Sequence, residues 1–196
     1  MSQAMVNAQA NFALNLLRDS NVTSSTILSP ISISFALAMV YLGAKENTAA
    51  QIRNTIAKDI PEEEIHAYFS SVLSHINSKK LDVTLESVNL LGLPYKNKQV
   101  TMYIILPRER FGLNTVVNEM NATTLTQLLA NKDSTTVLVQ LPRFKIESSF
   151  QLVDALKKLG IKDAFDENST NFSGISEEGD LKISDVIHKA FIEVCF

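Results

Sequence analysis

Three histidines and one cysteine are the side chains best suited to nucleophilic, acid–base or metal chemistry, and their spacing favours none of these. His66, His75 and His188 lie far apart, and Cys195 is the only thiol. HExxH, CxxC, GxSxG and P-loop patterns are all absent. His66 and His75 fall on one predicted helix and are expected at its surface rather than on a metal. No catalytic residue, metal site or cofactor is therefore assigned. A lone cysteine cannot form an intrachain disulfide, so Cys195 reads as a reduced thiol without a role. Glu62-Glu63-Glu64 follow Pro61 at a helix start. Carboxylates there complement the positive end of the helix dipole, which makes them capping groups rather than a catalytic pair. Lys79-Lys80, after that helix, read as a solvated helix end.

Charge and composition narrow the partners. A net charge of −3 over 196 residues gives no electrostatic case for nucleic acid or an anionic membrane. Hydrophobic residues at 45% and charged residues at 20% are ordinary for a globular chain, and the length fits one domain. The apolar runs are too short to span a bilayer. Met1 to Asn7 has neither a basic n-region nor an apolar h-region, so a cytoplasmic protein is expected. The sequons at Asn21, Asn121, Asn168 and Asn171 carry little weight in such a location.

The elements that must position these residues are mixed. Val6 to Asp19 carries an apolar i, i+4 stripe and predicts a helix. Ile27-Leu28 predicts a short strand. Ser29 then caps a second helix with Pro30 at its first position, where the missing N–H costs nothing. Ile31 to Leu42 is apolar nearly all round and should be central, with Gly43 as its C′ residue. Thr48-Ala49-Ala50-Gln51 is a capping-box pattern for a third helix, and Pro61 opens a fourth through Ile76. Leu81 to Leu85 alternates as a strand. Leu90 to Tyr95 and Val100 to Pro107 read as a hairpin, the second strand buried on both faces. Leu113–Met120 and Thr123–Leu129 read as helices, Thr135–Gln140 and Leu141–Glu147 as extended, and Phe150–Leu159 as an amphipathic helix stopped by Gly160. The last residues, Leu181 to Val194, change phase near Asp185 and predict a strand running into a core. The class is α+β rather than regular βαβ alternation.

Three blocks resemble the serpin family. The first is Ile27-Leu28-Ser29-Pro30-Ile31-Ser32-Ile33, continuing through Ala38-Met39 to Leu42-Gly43-Ala44. The second is Leu93-Pro94-Tyr95 with Met102-Tyr103-Ile104-Ile105-Leu106-Pro107. The third runs from Leu141-Pro142-Arg143-Phe144 through Leu156–Ile161, Ala164-Phe165 and Phe172–Ile175 to His188-Lys189-Ala190. They occur in family order across nearly the whole chain. The resemblance implies N-terminal helices on reduced mixed or antiparallel sheets. It also implies a single partial domain over residues 1–196, divided at 89/90. By resemblance, Ser29, Ser32 and His188 match the shutter, a polar cluster beneath the opening of the central sheet. Such groups in an apolar setting need partners or cost about 1–3 kcal/mol each.

The departures from the family are equally specific. Serpins are about twice this long. Text for the family's middle portion is missing between Asn89 and Leu90, and no hinge or reactive loop follows Phe196. The resemblance implies inhibition of serine or cysteine proteases by loop cleavage and insertion. A chain without loop or full sheet is expected to be non-inhibitory, as a truncated isoform from alternative splicing would be. Many serpins are extracellular, which is the alternative location. Strands near Leu81–Leu85 and Ile183–Val194 have each lost a family neighbour, so association with itself or with intact serpins through open edges is expected. Phe191, Ile192, Val194 and Phe196 form a β-prone segment with only Glu193 as a brake.

Overall fold

The computed structural model describes residues 2–20, 25–74, 84–85, 88–95, 100–130, 139, 141, 143–176 and 181–194. The predicted strand at 135–140 lies essentially outside them, as do His75, Lys79, Lys80, Cys195 and Phe196. The chain divides into two compact units, one from Met1–Leu14 with Glu62–Leu141, the other from Asn15–Pro61 with Pro142–Phe196.

The first unit joins the start of helix α1 (Gln3–Asp19) to α4 (Glu62–Ser74), α5 (Leu113–Glu119) and α6 (Ala122–Ala130). Its sheet has the order β1 (Thr84–Leu85), β2 (Val88–Pro94), β3 (Thr101–Pro107), antiparallel throughout. Leu14, Val88, Leu90, Val116, Met120 and Leu128 form its core. β2 runs unbroken through Asn89-Leu90, pairing Asn89 with Leu106 and Leu90 with Ile105. The expectation that the 100–107 strand is buried on both faces fails. Its residues are only partly covered, and Leu106 is 60% exposed.

The second unit holds α2 (Pro30–Gly43), α3 (Glu46–Ala57), α7 (Val153–Lys158), a 3₁₀ turn at Asp163–Phe165, and the hairpin-like pair β4 (Phe144–Gln151) and β5 (Ile187–Val194). Several local expectations give way here to tertiary contacts. Ile27-Leu28 joins no ladder; instead the Ile27 N–H donates to Ser148 Oγ at 3.0 Å. The third helix opens at Glu46, not Thr48, because Thr48 and Gln51 serve distant backbone. Thr48 Oγ1 accepts the Asn171 N–H at 2.9 Å. Gln51 Oε1 accepts those of Lys162 and Asp163 at 2.7 and 2.8 Å. Gly43 is the last residue of α2, and its cap is Ala44. A Cβ added at Gly43 would meet the side chain of Ile175, which would have to turn away. α2 is not covered all round: Met39 is 68% and Leu42 61% exposed.

The predicted helix from Phe150 starts later, at Val153. Phe144, Ile146, Ser148 and Phe150 share the more buried face of β4, and the pairing with β5 extends to Gln151↔Ile187. Two-residue alternation therefore wins until the strand ends. β5 alternates too, in the phase that Ala190, Ile192 and Val194 set in the sequence. His188, Ala190, Ile192 and Val194 are the less exposed set, while Ile187 and Phe191 face solvent. The class is α+β, with two small antiparallel sheets among the described residues.

Candidate functional site

The three shutter-like residues meet in the second unit. Ser29 precedes α2 as its N-cap, with Pro30 at the first helical position as the sequence requires. Its backbone carbonyl accepts the N–H groups of Ser32 and Ile33 at 3.1 and 3.3 Å. Its hydroxyl caps nothing; it lies 2.8 Å from Ser32 Oγ, one turn into the helix. His188 is brought over by β5. It stands opposite Phe150 of β4 and retains 9% of its accessible surface. Its Nε2 accepts the Ser29 backbone N–H at 3.0 Å, a role that requires Nε2 to carry no proton.

Ser148 completes the arrangement and was not anticipated from sequence. Ile27 donates to Ser148 and Ser29 donates to His188, so alternate N–H groups of one extended strap are taken by side chains from two paired strands. Ser148 and His188 lie on the same, less exposed face of that pair. The signal was a serine at an inward position between Ile146 and Phe150, where an apolar residue is the default. A buried hydroxyl on α2, Ser34 Oγ, has no hydrogen-bond partner among the described residues.

The arrangement latches the strap before α2 to β4 and β5 through hydrogen bonds. His66 is exposed and lies 3.6 Å from Glu62, one helical turn away. Glu62, Glu63 and Glu64 occupy the first turn of α4. Among the described residues, no group of three or more His, Cys, Asp or Glu could hold a metal ion. None of the described helices is long and apolar enough to cross a membrane.

An α+β fold, a Ser-Pro helix start and a histidine held against it from a late strand are the features in which the chain resembles serpins. The family model "Serpin (serine protease inhibitor)" matches residues 7–91 and 83–195, and the chain belongs to that family. Serpin B5 of Xenopus laevis is 32% identical over 208 residues, covering 95% of this chain and 51% of the relative. Intracellular coagulation inhibitor 2 of Tachypleus tridentatus is 31% identical over 185 residues, covering 89% and 45%. The chain thus spans about half the length of these curated relatives. Among solved structures, the thermophilic serpin tengpin in its latent state superposes with a TM-score of 0.84 at 20% identity. That superposition covers 100% of this chain and 86% of the other.

Proposed function

We propose that this chain is a single partial serpin domain and that the 196-residue polypeptide does not itself inhibit proteases. In a whole protein carrying hinge and reactive loop, the family reading gives serine or cysteine endopeptidases as targets. The supporting observation is the state of β5, the strand that the resemblance puts just before the reactive loop. Among the described residues it pairs with β4 alone. A cleaved loop that inserts between two strands gains backbone hydrogen bonds on both sides; one edge offers half of them. In this reading Ser29, Ser32 and His188 act as the shutter, holding the start of α2 to β5. No enzymatic activity is assigned. The word intracellular in the name of the Tachypleus relative supports a location inside the cell; the cytoplasm is our reading within that, and fractionation of tagged protein checks it.

The test is incubation with serine and cysteine proteases followed by a denaturing gel. Ordinary proteolysis is expected. An SDS-stable covalent complex would overturn the reading.

A second reading is association through the edge of β5 that has no strand partner among the described residues. It is favoured by exposed Ile187 and Phe191 on that strand. Ile192 and Val194 face β4's Ile146 and Phe144, so charging them would damage the strand pair itself. Phe191→Lys is the cleaner probe. Sedimentation over a wide concentration range should show oligomers that this substitution weakens. A sharp monomer throughout would dispose of the idea.

A further inference from the structure

We propose that the turn between β3 and α5 is a self-complementary docking surface for a second copy of this chain, with Phe111 as its anchor. Two local costs coincide at this residue. Its φ is +66°, a left-handed conformation that a bulky L side chain adopts only when its surroundings enforce it. Its ring is also 89% exposed. The Gly112 N–H donates to the Glu109 carbonyl at 3.1 Å. Even a Cβ at Gly112 would lie 3.1 Å from that oxygen and 3.4 Å from Pro107 Cβ. The turn is tight at Gly112, and the Phe111 ring beside it stands in water.

A receptacle lies on the same surface. A groove of about 460 Å³ runs between the end of β3 and α5, with Pro107 and the buried Val116 among its walls and exposed Arg108, Glu109 and Glu119 at its sides. Arg108 is engaged with β2, its Nε donating to Asn89 Oδ1 at 3.3 Å, so two carboxylates stand against one guanidinium. Glu109 and Glu119 form no ion pair among the described residues. The Arg110 guanidinium rides on the Phe111 ring, its carbon 5.3 Å from the ring centroid. A ring that enters a groove therefore carries Arg110 to the groove's carboxylates. Knob, groove and both signs of charge stand side by side on one chain. A twofold axis lets each copy fill the other's groove and neutralise its acids, as an isologous interface requires. Exposed Leu106 and Leu113 extend the apolar area around the anchor. Self-complementarity of charge selects a second copy over an unrelated partner.

The experiment is sedimentation equilibrium on the full 196-residue chain, with circular dichroism as a folding check. The wild-type chain should dimerise, and Phe111→Ser should weaken the dimer about a hundredfold, since two anchors are lost together. The decisive arm is a charge exchange, which does not depend on how Phe111→Ser folds. Arg110→Glu alone and the double variant Glu109→Arg/Glu119→Arg alone should each lose dimers. Their equimolar mixture should recover them. In the mixed dimer the carboxylate introduced by Arg110→Glu meets the two introduced arginines, and the native Arg110 of the double variant meets the native Glu109 and Glu119. Phe191→Lys should leave this dimer intact, which separates it from association at the β5 edge. A wild-type monomer at all concentrations, or a mixture that fails to associate, would overturn the proposal.

Discussion

Replacing His188 by leucine tests the latch with little change in buried volume. Leucine keeps an apolar body on the covered face of β5 and removes the acceptor at 3.0 Å from the Ser29 N–H. The donor lies in a partly buried contact, so most of the penalty is an unsatisfied N–H, about 1–3 kcal/mol. The neighbouring hydroxyl pair is solvent-exposed, and Ser32→Ala should cost about 0.5 kcal/mol or less. Native-state amide exchange at Ser29 reads the contact directly. In the His188→Leu variant that amide should exchange about 5- to 150-fold faster, the same energy expressed as a ratio. Urea unfolding of both variants gives the stability difference. Unchanged exchange at Ser29 in His188→Leu, or an equal loss in Ser32→Ala, would refute the reasoning.

Gly174→Ala should cost about 1–3 kcal/mol, because its Cβ would lie 2.7 Å from the Gly43 carbonyl oxygen, a backbone atom that cannot step aside. Gly43→Ala should cost less, since the atoms it meets belong to the exposed side chain of Ile175, which can rotate away; thermal unfolding of both decides. Leu156→Ala, at a position with no accessible surface, should lose about 2–5 kcal/mol in urea, whereas Leu42→Ala on the open face of α2 should be nearly neutral. Lys182 Nζ lies 2.6 Å from Glu167 Oε2, and this hydrogen bond and charge hold the Glu167 carboxyl below its ordinary value of 4.5. Its contribution to stability is therefore present above pH 4.5 and is lost as pH falls through the lowered value. Lys182→Met should raise the NMR titration midpoint of Glu167, and an unmoved midpoint would disprove the pairing.

What could be read from sequence depended on how local its cause was. The start of α2 was legible because Pro30 at the first helical position is a local signal. The start of α3 was not, because Thr48 and Gln51 hold backbone more than a hundred residues away. Phe150 fits both a strand alternation and a helical stripe. Only pairing across to His188 settles it as strand. The resemblance picked out Ser29, Ser32 and His188 but not their bonding: the imidazole takes a backbone N–H, and the two hydroxyls face each other. No local signal marked the Phe111 ring as exposed, since an aromatic side chain is by default expected inside.

The unit that carries the latch is assembled from residues 15–61 and 142–196, with a long excursion between them. That order sets a schedule during synthesis. Ser29 leaves the ribosome 159 residues ahead of His188. At roughly 5–20 residues per second, the interval is on the order of ten to thirty seconds. For most of it the apolar helix after Ser29 waits in the nascent chain without β4, and throughout it without β5. The latch cannot form before β5 is made, and until then the waiting helix is a segment a cotranslational chaperone has reason to cover.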